Sequence, residues 1–254
     1  MSPSDINPFQ RTGLSLDDYQ TSRRAKAEKI MQILRHFQDN LNQAVTLDIG
    51  CYDGCMTQQF STQMKQIIGV DIDQHALQNS AEQYAASNLN FIAYNGNKLP
   101  FSDHCFDLLI VNHVLYYVDT KEQINFLNEL NRVIKADGIC YLSAINGTYT
   151  KVINKLPHWA RPIAAKALLG APVNFGHPVS LSSYKKMLSM FDIEDVTFQT
   201  LKNPTQFAGD FQGWKRQLLN LISKLPDRII KTLANWSPAL IVILRPANPS
   251  PMQD

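Results

Sequence analysis

In the stretch VTLDIGCYDGCMT, from Val45 to Thr57, an apolar run ends in Asp48, and two glycines, Gly50 and Gly54, bracket Cys51, Tyr52 and Asp53. Glycine lets a backbone approach a ligand with no Cβ in the way. A glycine turn after a β-rich run marks the crevice of a doubly wound sheet. Asp71, 21 residues beyond Gly50 in GVDID, stands where such sheets place an acceptor for paired ribose hydroxyls. Asn95 and Asn112 follow the next two apolar runs. Four successive strand ends thus carry small or polar groups, and the chemistry they favour is recognition of a nucleoside.

Two ligands compete for such a crevice. A nicotinamide dinucleotide wants G-x-G-x-x-G, which brings its pyrophosphate onto a helix N-terminus. Here Gly50-Cys51-Tyr52-Asp53-Gly54 has no third glycine at that spacing, and Asp53 would repel a pyrophosphate. S-adenosylmethionine, which has an adenosine and no phosphate, suits the loop better.

From Val45 to about Asn146 the chain resembles the class I S-adenosylmethionine-dependent methyltransferases of the small-molecule "type 11" group. The resemblance is carried by LDIGCYDG, GVDID, NKLPFSDHCFDLLIVNHVLYYV and ELNRVIKADGICYLSAI, in the family's order and spacing. It implies methyl transfer as the activity and S-adenosyl-L-methionine as the cofactor. It places Asp48, Gly50, Cys51 and Gly54, with Tyr52 among them, against the cofactor's amino-acid part. Asp71 and Ile72 match the ribose position, Asn95 and Gly96 the adenine position, and Asn112 opens onto the transferred methyl. There are three departures. Tyr52 replaces the central glycine, Asn95 replaces the common aspartate, and ADG replaces Pro-Gly-Gly before the fifth strand. Tyr52 is expected either to take a positive φ, at a cost of about 1–2 kcal/mol, or to lean its ring over the cofactor.

Methyl transfer from a sulfonium asks a protein mainly to align the acceptor and exclude water. An acceptor oxygen benefits from a base, and the fourth strand end offers His113, Tyr116 and Tyr117. His113 and Tyr117 are the candidate catalytic residues, although Tyr117 stands where relatives often carry histidine. His177 and Tyr19 are also within reach of such a pocket, and the sequence does not rank them. Met31 and Met187 are expected in the core. Cys51 and Cys55 have no second Cys or His pair at zinc spacing, so no metal site is expected.

The elements that must position these residues follow from hydrophobic period. SLDDYQTSRRAKAEKIMQILRHF reads as a helix with Ser15 as N-cap and Ala27, Ile30, Met31, Leu34 and Phe37 on one face. AVTLDIG, IIGV, LNFIAYN, CFDLLIVN and GICYLSAI read as strands alternating with helices, which implies right-handed crossovers and a parallel sheet covered on both faces. Asp73 is expected to cap one helix. Asp119 is expected to open another, which ADG closes. Two late strands, at 191–201 and 238–246, complete the expected fold class: an α/β, Rossmann-like, seven-stranded and mostly parallel sheet with an antiparallel C-terminal strand. The chain divides into an N-terminal helical segment (1–40, its first 13 residues a flexible lead-in), a cofactor-binding core (41–147) and two helical inserts (148–182 and 203–237) that cap the substrate.

The 254 residues are 44% hydrophobic and carry a net charge of +2, enough for one elaborated domain. Residues 1–147 hold 11 Lys and Arg against 16 Asp and Glu, a net −5, and residues 148–254 hold 13 against 6, a net +7. A basic surface favours anionic partners. In the second insert Trp214, Leu218, Leu221, Ile222 and Leu225 share a helical face, and Ile229, Ile230 and Leu233 resume it after Pro226. Lys224, Arg228 and Lys231 gather on another face if the helix runs past the proline. These features fit a small-molecule or lipid-linked acceptor and peripheral membrane contact through the basic amphipathic inserts. With neither a signal peptide nor a spanning segment, the expected location is cytoplasmic, at a membrane surface if the inserts bind one. The modest pI of about 8.3 and the lack of an Asn-Pro-Pro-Tyr motif argue against a nucleic-acid substrate. A non-catalytic S-adenosylmethionine-binding module, a methyltransferase acting on a macromolecule and a nicotinamide-dependent dehydrogenase are the alternatives.

Overall fold

The computed structural model describes residues 15–147, 155–157, 159–160, 181–204, 214–235, 237 and 239–247. Helix α1 (Leu16–Leu34) begins at Ser15, whose hydroxyl accepts from the Asp18 amide. Then follow β1 (Val45–Ile49), α2 (Cys55–Ser61), β2 (Gln66–Asp71), α3 (Gln74–Gln83), β3 (Leu89–Ala93), β4 (Phe106–Asn112), α4 (Gln123–Val133) and β5 (Ile134–Ile145). The rest comprises α5 (Leu181–Met187), β6 (Phe191–Asp195), α6 (Val196–Lys202), α7 (Trp214–Ile222), α8 (Asp227–Asn235) and β7 (Ala239–Pro246). The strands form one sheet in the order β3-β2-β1-β4-β5-β7-β6. β7 is antiparallel to both neighbours, and the pairs from β3 to β5 are parallel.

Strand alternation splits the core between the two faces. Leu108 and Ile110 of β4, Ile139 and Tyr141 of β5, and Ile243 of β7 pack with Ala27, Ile30, Met31 and Leu34 of α1 and with Phe60 of α2. Leu109 and Val111, Cys140 and Leu142, and Val242 and Leu244 point the other way, onto Phe126, Leu127, Leu130 and Val133 of α4 and onto Tyr184 of α5. The two sets are one residue out of phase along each strand and both are covered by helices, as a doubly covered sheet requires. Met31 is buried and Met187 packs against the second cluster, both as core residues. Burial along α1 is uneven: only Tyr19 is buried in the first eleven residues, whereas Ala27, Ile30, Met31, Ile33 and Leu34 are buried in the remainder.

Several expected boundaries move. The ADG tripeptide does not separate α4 from β5, because β5 begins directly after α4 at Ile134. The register jumps between the Phe106–Ile134 and Leu108–Ile139 pairs, so Lys135–Gly138 form a bulge inside the strand. α4 starts at Gln123, four residues after Asp119, whose carboxylate accepts from Lys121 N in a preceding turn. The expected strand at 191–201 is half strand and half helix. Asp195 caps α6 by accepting from Phe198 N, which turns Val196 and Thr197 onto the sheet. The helix of the second insert does not run past Pro226: α7 ends at Ile222 and α8 starts afresh at Asp227. Most of the first insert, residues 1–14 and His177 lie outside the described residues. Among the described residues no helix is long and apolar enough to cross a membrane.

Candidate cofactor and acceptor site

β1 pairs with β2 on one side and β4 on the other, so the strand order reverses at β1 and a crevice opens beyond its carboxyl end. The chain leaves β1 through Gly50 at φ 74° and reaches α2 through Gly54 at φ 66°. The Gly50 and Cys51 amides both donate to the Val70 carbonyl, at 2.8 and 3.1 Å, which folds the loop back over β2. A Cβ on Gly50 would stand 2.4 Å from Val114 Cγ2, so this glycine is required by contact as well as by φ.

Tyr52 adopts φ 49°, the first of the two outcomes expected of it. Its amide donates to Asp71 Oδ2 at 2.8 Å, while Asp71 Oδ1 accepts from Asp73 N at 3.0 Å. One carboxylate at the end of β2 thus holds both the first loop and the entry to α3. Asn tolerates the left-handed region and a β-branched residue does not. Tyr52→Asn should therefore keep the loop, and Tyr52→Val should be less stable than Tyr52→Asn by about 1–2 kcal/mol, read from the denaturant midpoints.

Three carboxylates ring the loop. Asp48 is 4% exposed, and Thr57 Oγ1 donates to its Oδ2 at 2.6 Å. Burial pushes its pKa up to about 7, with Asp71 adding to the rise and the Thr57 bond opposing it. Asp53 Oδ2 accepts from the Tyr19 hydroxyl at 2.9 Å, which ties α1 to the loop, and Asp53 Oδ1 accepts from Cys55 N. Burial pushes the Cys51 thiol well above its ordinary value, and Asp48 and Asp71 add to this, so Cys51 lines the loop as an uncharged group. Just beyond β2, Ile72 is 68% exposed. Gly96, at φ 82°, would place a Cβ 3.4 Å from Ile72 Cγ2. Asn95 is exposed, and its Oδ1 accepts from Asn97 N at 3.0 Å.

The donor set can be tested against the expected cofactor. An acidic loop with no Lys or Arg between Asp48 and Thr57 opposes a pyrophosphate and suits a sulfonium and an ammonium. Each Asp71 oxygen spends one lone pair on a backbone amide and keeps another for a ribose hydroxyl. Exposed Ile72 beside Gly96 offers a flat apolar face to a purine. The residues fit S-adenosylmethionine.

At the end of β4, Ser143 Oγ donates to Asn112 Oδ1 at 2.9 Å and the Asn112 amide reaches Met56 Sδ at 3.8 Å. His113 follows at φ 61°, with its backbone amide donating to the Ser143 carbonyl at 3.0 Å. Its Nδ1 is buried and has no hydrogen-bond partner. Burial lowers the His113 pKa to about 3, helped by Lys26 and then Arg23, so the imidazole is neutral. Tyr116 is buried, with its ring 6.1 Å from that of His113. The Gln123 amide fixes this turn by donating to the Leu115 and Val118 carbonyls.

The structure thus gathers Asp48, Gly50, Cys51, Tyr52, Gly54 and Asp71 around one loop, sets Ile72, Asn95 and Gly96 on one side, and puts Asn112 and His113 on the other. It does not bring Tyr117 in: that side chain is 68% exposed, and Tyr116 takes the place beside His113. The partnership of Tyr19 with Asp53 and the inward position of Lys26 and Arg23 were not singled out from the sequence. Their only advance signal is that 19, 23, 26, 27 and 30 share a helical stripe. Among the described residues no cluster of His, Cys, Asp or Glu could hold a metal ion.

The site thus lies at the switch point of a seven-stranded sheet, beside a loop that carries Asp48, Asp53 and, by contact, Asp71. Residues 47–142 match the family described as "Methyltransferase domain". With that match on this fold, residues 47–142 are similar to an S-adenosylmethionine-dependent methyltransferase domain, and S-adenosylmethionine is the cofactor that such domains use. It is 25% identical over 177 residues to the ubiquinone biosynthesis O-methyltransferase of Rickettsia akari, an alignment covering 68% of this chain and 66% of that protein. It is 28% identical over 98 residues to the ubiquinone/menaquinone biosynthesis C-methyltransferase UbiE of Desulfotalea psychrophila, over 39% of each. The chain therefore spans less than two thirds of the length of either relative. The fold is shared with PKMT2 from Rickettsia typhi, solved in complex with AdoHcy, with a TM-score of 0.59 at 15% identity, over 88% of this chain and 54% of that one.

Proposed function

We propose that the chain transfers the methyl group of S-adenosylmethionine to an oxygen of a small-molecule or lipid-linked acceptor lying between α1 and the turn after β4. The observation that supports the choice of oxygen is His113, a neutral imidazole with a buried nitrogen that lacks a partner, at the strand end where the family resemblance would put the methyl. Such a nitrogen accepts a hydrogen bond from an acceptor hydroxyl and holds the oxygen in line. The cofactor supplies an electrophilic methyl: its S–CH3 bond breaks as the O–CH3 bond forms, and the electron pair stays on sulfur. The hydroxyl proton passes to His113 Nδ1 and on to solvent, while Tyr116 and the Gly50–Gly54 loop exclude water from the reacting line.

The test is incubation with methyl-tritiated S-adenosylmethionine and separate pools of phenols, carboxylic acids, amines and carbon acids. Label is expected in O-methyl products, with His113→Gln lowering kcat at least about tenfold and leaving S-adenosylhomocysteine binding intact. Label confined to N- or C-methyl products would sink the choice of oxygen. Binding without labelling of any pool would favour a non-catalytic binding module.

The lipid-linked arm of this reading draws support from the second insert. Leu218, Leu221, Leu225, Ile229 and Leu233 are all at least 36% exposed along α7 and α8, with Arg216, Lys224 and Arg228 exposed among them. Exposed apolar residues interleaved with cations are how peripheral helices meet anionic lipid. Co-sedimentation with anionic liposomes at low salt, weakening as salt rises, is the expected result, and no sedimentation removes this arm.

A further inference from the structure

The two edges of the sheet differ in charge. β6 forms one edge and carries exposed Asp192 and Glu194, charges of the kind that keep an edge strand from pairing. β3 forms the other, and from Gln83 to Asn97 no residue is charged. Asn88 O accepts from Ile67 N and Tyr94 N donates to Asp71 O, so Asn88, Asn90, Ile92 and Tyr94 are the residues whose backbone groups face β2. Leu89, Phe91 and Ala93 therefore turn theirs outward. The Leu89 amide is taken up by the Ala86 carbonyl at 3.2 Å, whereas the Phe91 and Ala93 amides meet no acceptor among the described residues. An open hollow of about 490 Å³ lies beside this edge, bordered by Tyr84, Ala85, Ala86, Leu89 and Phe91.

A strand edge with no charge, proline or bulge is a template for another strand, and a hollow beside it takes the side chains that such a strand brings. Charge and register decide which strand fits. A two-fold contact sets a patch against itself, so every charge in it would face its like. Only a neutral patch suits a second copy, and a different partner imposes no such limit. Antiparallel pairing centred on Phe91 sets Phe91 opposite Phe91 and Ala93 opposite Leu89. The two Phe91 amides then donate to the two Phe91 carbonyls, and each Ala93 amide donates to the Leu89 carbonyl of the other copy. The outward donor already spent, at Leu89, falls at the end of this ladder. We propose that β3 is a self-recognition edge: it pairs antiparallel with β3 of a second copy of this chain about a two-fold axis at Phe91, joining two sheets into one. A five-residue edge makes a small contact, so the dimer forms and parts with concentration.

The experiment is sedimentation velocity on the full chain over a range of concentrations. The mass should move from the 28.7 kDa of one chain towards twice that value as concentration rises. Ala93→Pro removes an outward amide that the sheet does not use. It should weaken dimerisation at least about tenfold and leave the denaturation midpoint of the dilute chain close to that of wild type. Asn90 is exposed and, in this register, lies diagonally across the axis from its own copy, roughly 7–8 Å away. Asn90→Lys and Asn90→Asp should each be monomeric alone, and an equimolar mixture of the two should dimerise, because opposite charges then meet. A damaged fold does not give that rescue. All three variants keep Phe91, whose ring packs against the cofactor loop: a Cβ on Gly54 would stand 2.6 Å from Phe91 Cζ. A wild-type chain that stays monomeric at every concentration, or a dimer unaltered by Ala93→Pro and by both Asn90 variants, overturns the inference.

Discussion

Asp71→Ala is expected to abolish measurable binding of S-adenosylmethionine and S-adenosylhomocysteine alike, a loss of at least about a hundredfold. The carboxylate does two things at once. It would accept from the ribose diol, where each hydrogen bond to a charged group is worth roughly 1.5–3 kcal/mol. It also accepts from the Tyr52 and Asp73 amides, and so holds the left-handed Tyr52 and the entry to α3. Removing it leaves two amides without their acceptor, so stability should also fall, by about 1–3 kcal/mol. Asp71→Asn separates the two roles, since its single amide oxygen can serve only part of the set. Titration calorimetry and a denaturation curve on each variant check this, and undiminished affinity in Asp71→Ala would remove Asp71 from the ribose site.

Asp48→Asn should stabilise the cofactor-free protein while weakening its preference for the cationic cofactor. The folded pKa of Asp48 is raised to about 7, above the ordinary carboxylate value, because the group is buried. The fold thus favours the protonated form. That contribution is complete at acid pH and is lost as pH rises through about 7, so near pH 8 the native state carries an unpaired buried charge. A shift of about three units corresponds to at most about 4 kcal/mol, and the unsatisfied amide hydrogens of asparagine would reduce the gain to roughly 1–3 kcal/mol. The denaturation midpoint of Asp48→Asn should therefore exceed that of wild type near pH 8, with the difference shrinking as pH falls below about 7 and vanishing only below about pH 4, the ordinary carboxylate value. In wild type the affinity for S-adenosylmethionine should rise severalfold from near pH 6 to near pH 8, as the carboxylate ionises to meet the sulfonium. The neutral product should show little of this, and the mutant none. A wild-type affinity flat across that range would show that Asp48 does not face the cofactor's charge.

The parts legible in the chain are those where one physical requirement writes one residue type. A sheet covered on both faces needs apolar runs, its ligand edge needs Gly50 and Gly54, and a helix start needs Ser15 or Asp73. Illegible parts are those where two requirements share a residue. In ADG a glycine serves as readily inside a bulge as at a helix end, and β5 uses Gly138 for the former. Val196, Thr197 and Thr200 favour a strand by propensity, but the Asp195 cap starts a helix there and the Thr197 hydroxyl accepts from Ile241 N. Tyr116 and Tyr117 are adjacent and chemically identical, and only the turn fixed by Gln123 decides which is buried. Arg23 and Lys26 read as solvated helix charges until α1 is laid against β4.

The uneven burial of α1 sets where the molecule opens. Its last eight residues are anchored in the core by five buried side chains, whereas its first eleven depend on Tyr19 and the hydroxyl bond to Asp53. Free energies of local opening follow buried apolar contact, so the first turns unfold far below the cost of global unfolding. Amides there exchange with solvent on their own schedule, independent of the sheet. A ligand held between this helix and the loop it is tied to could therefore be released through local fraying while the core stays folded.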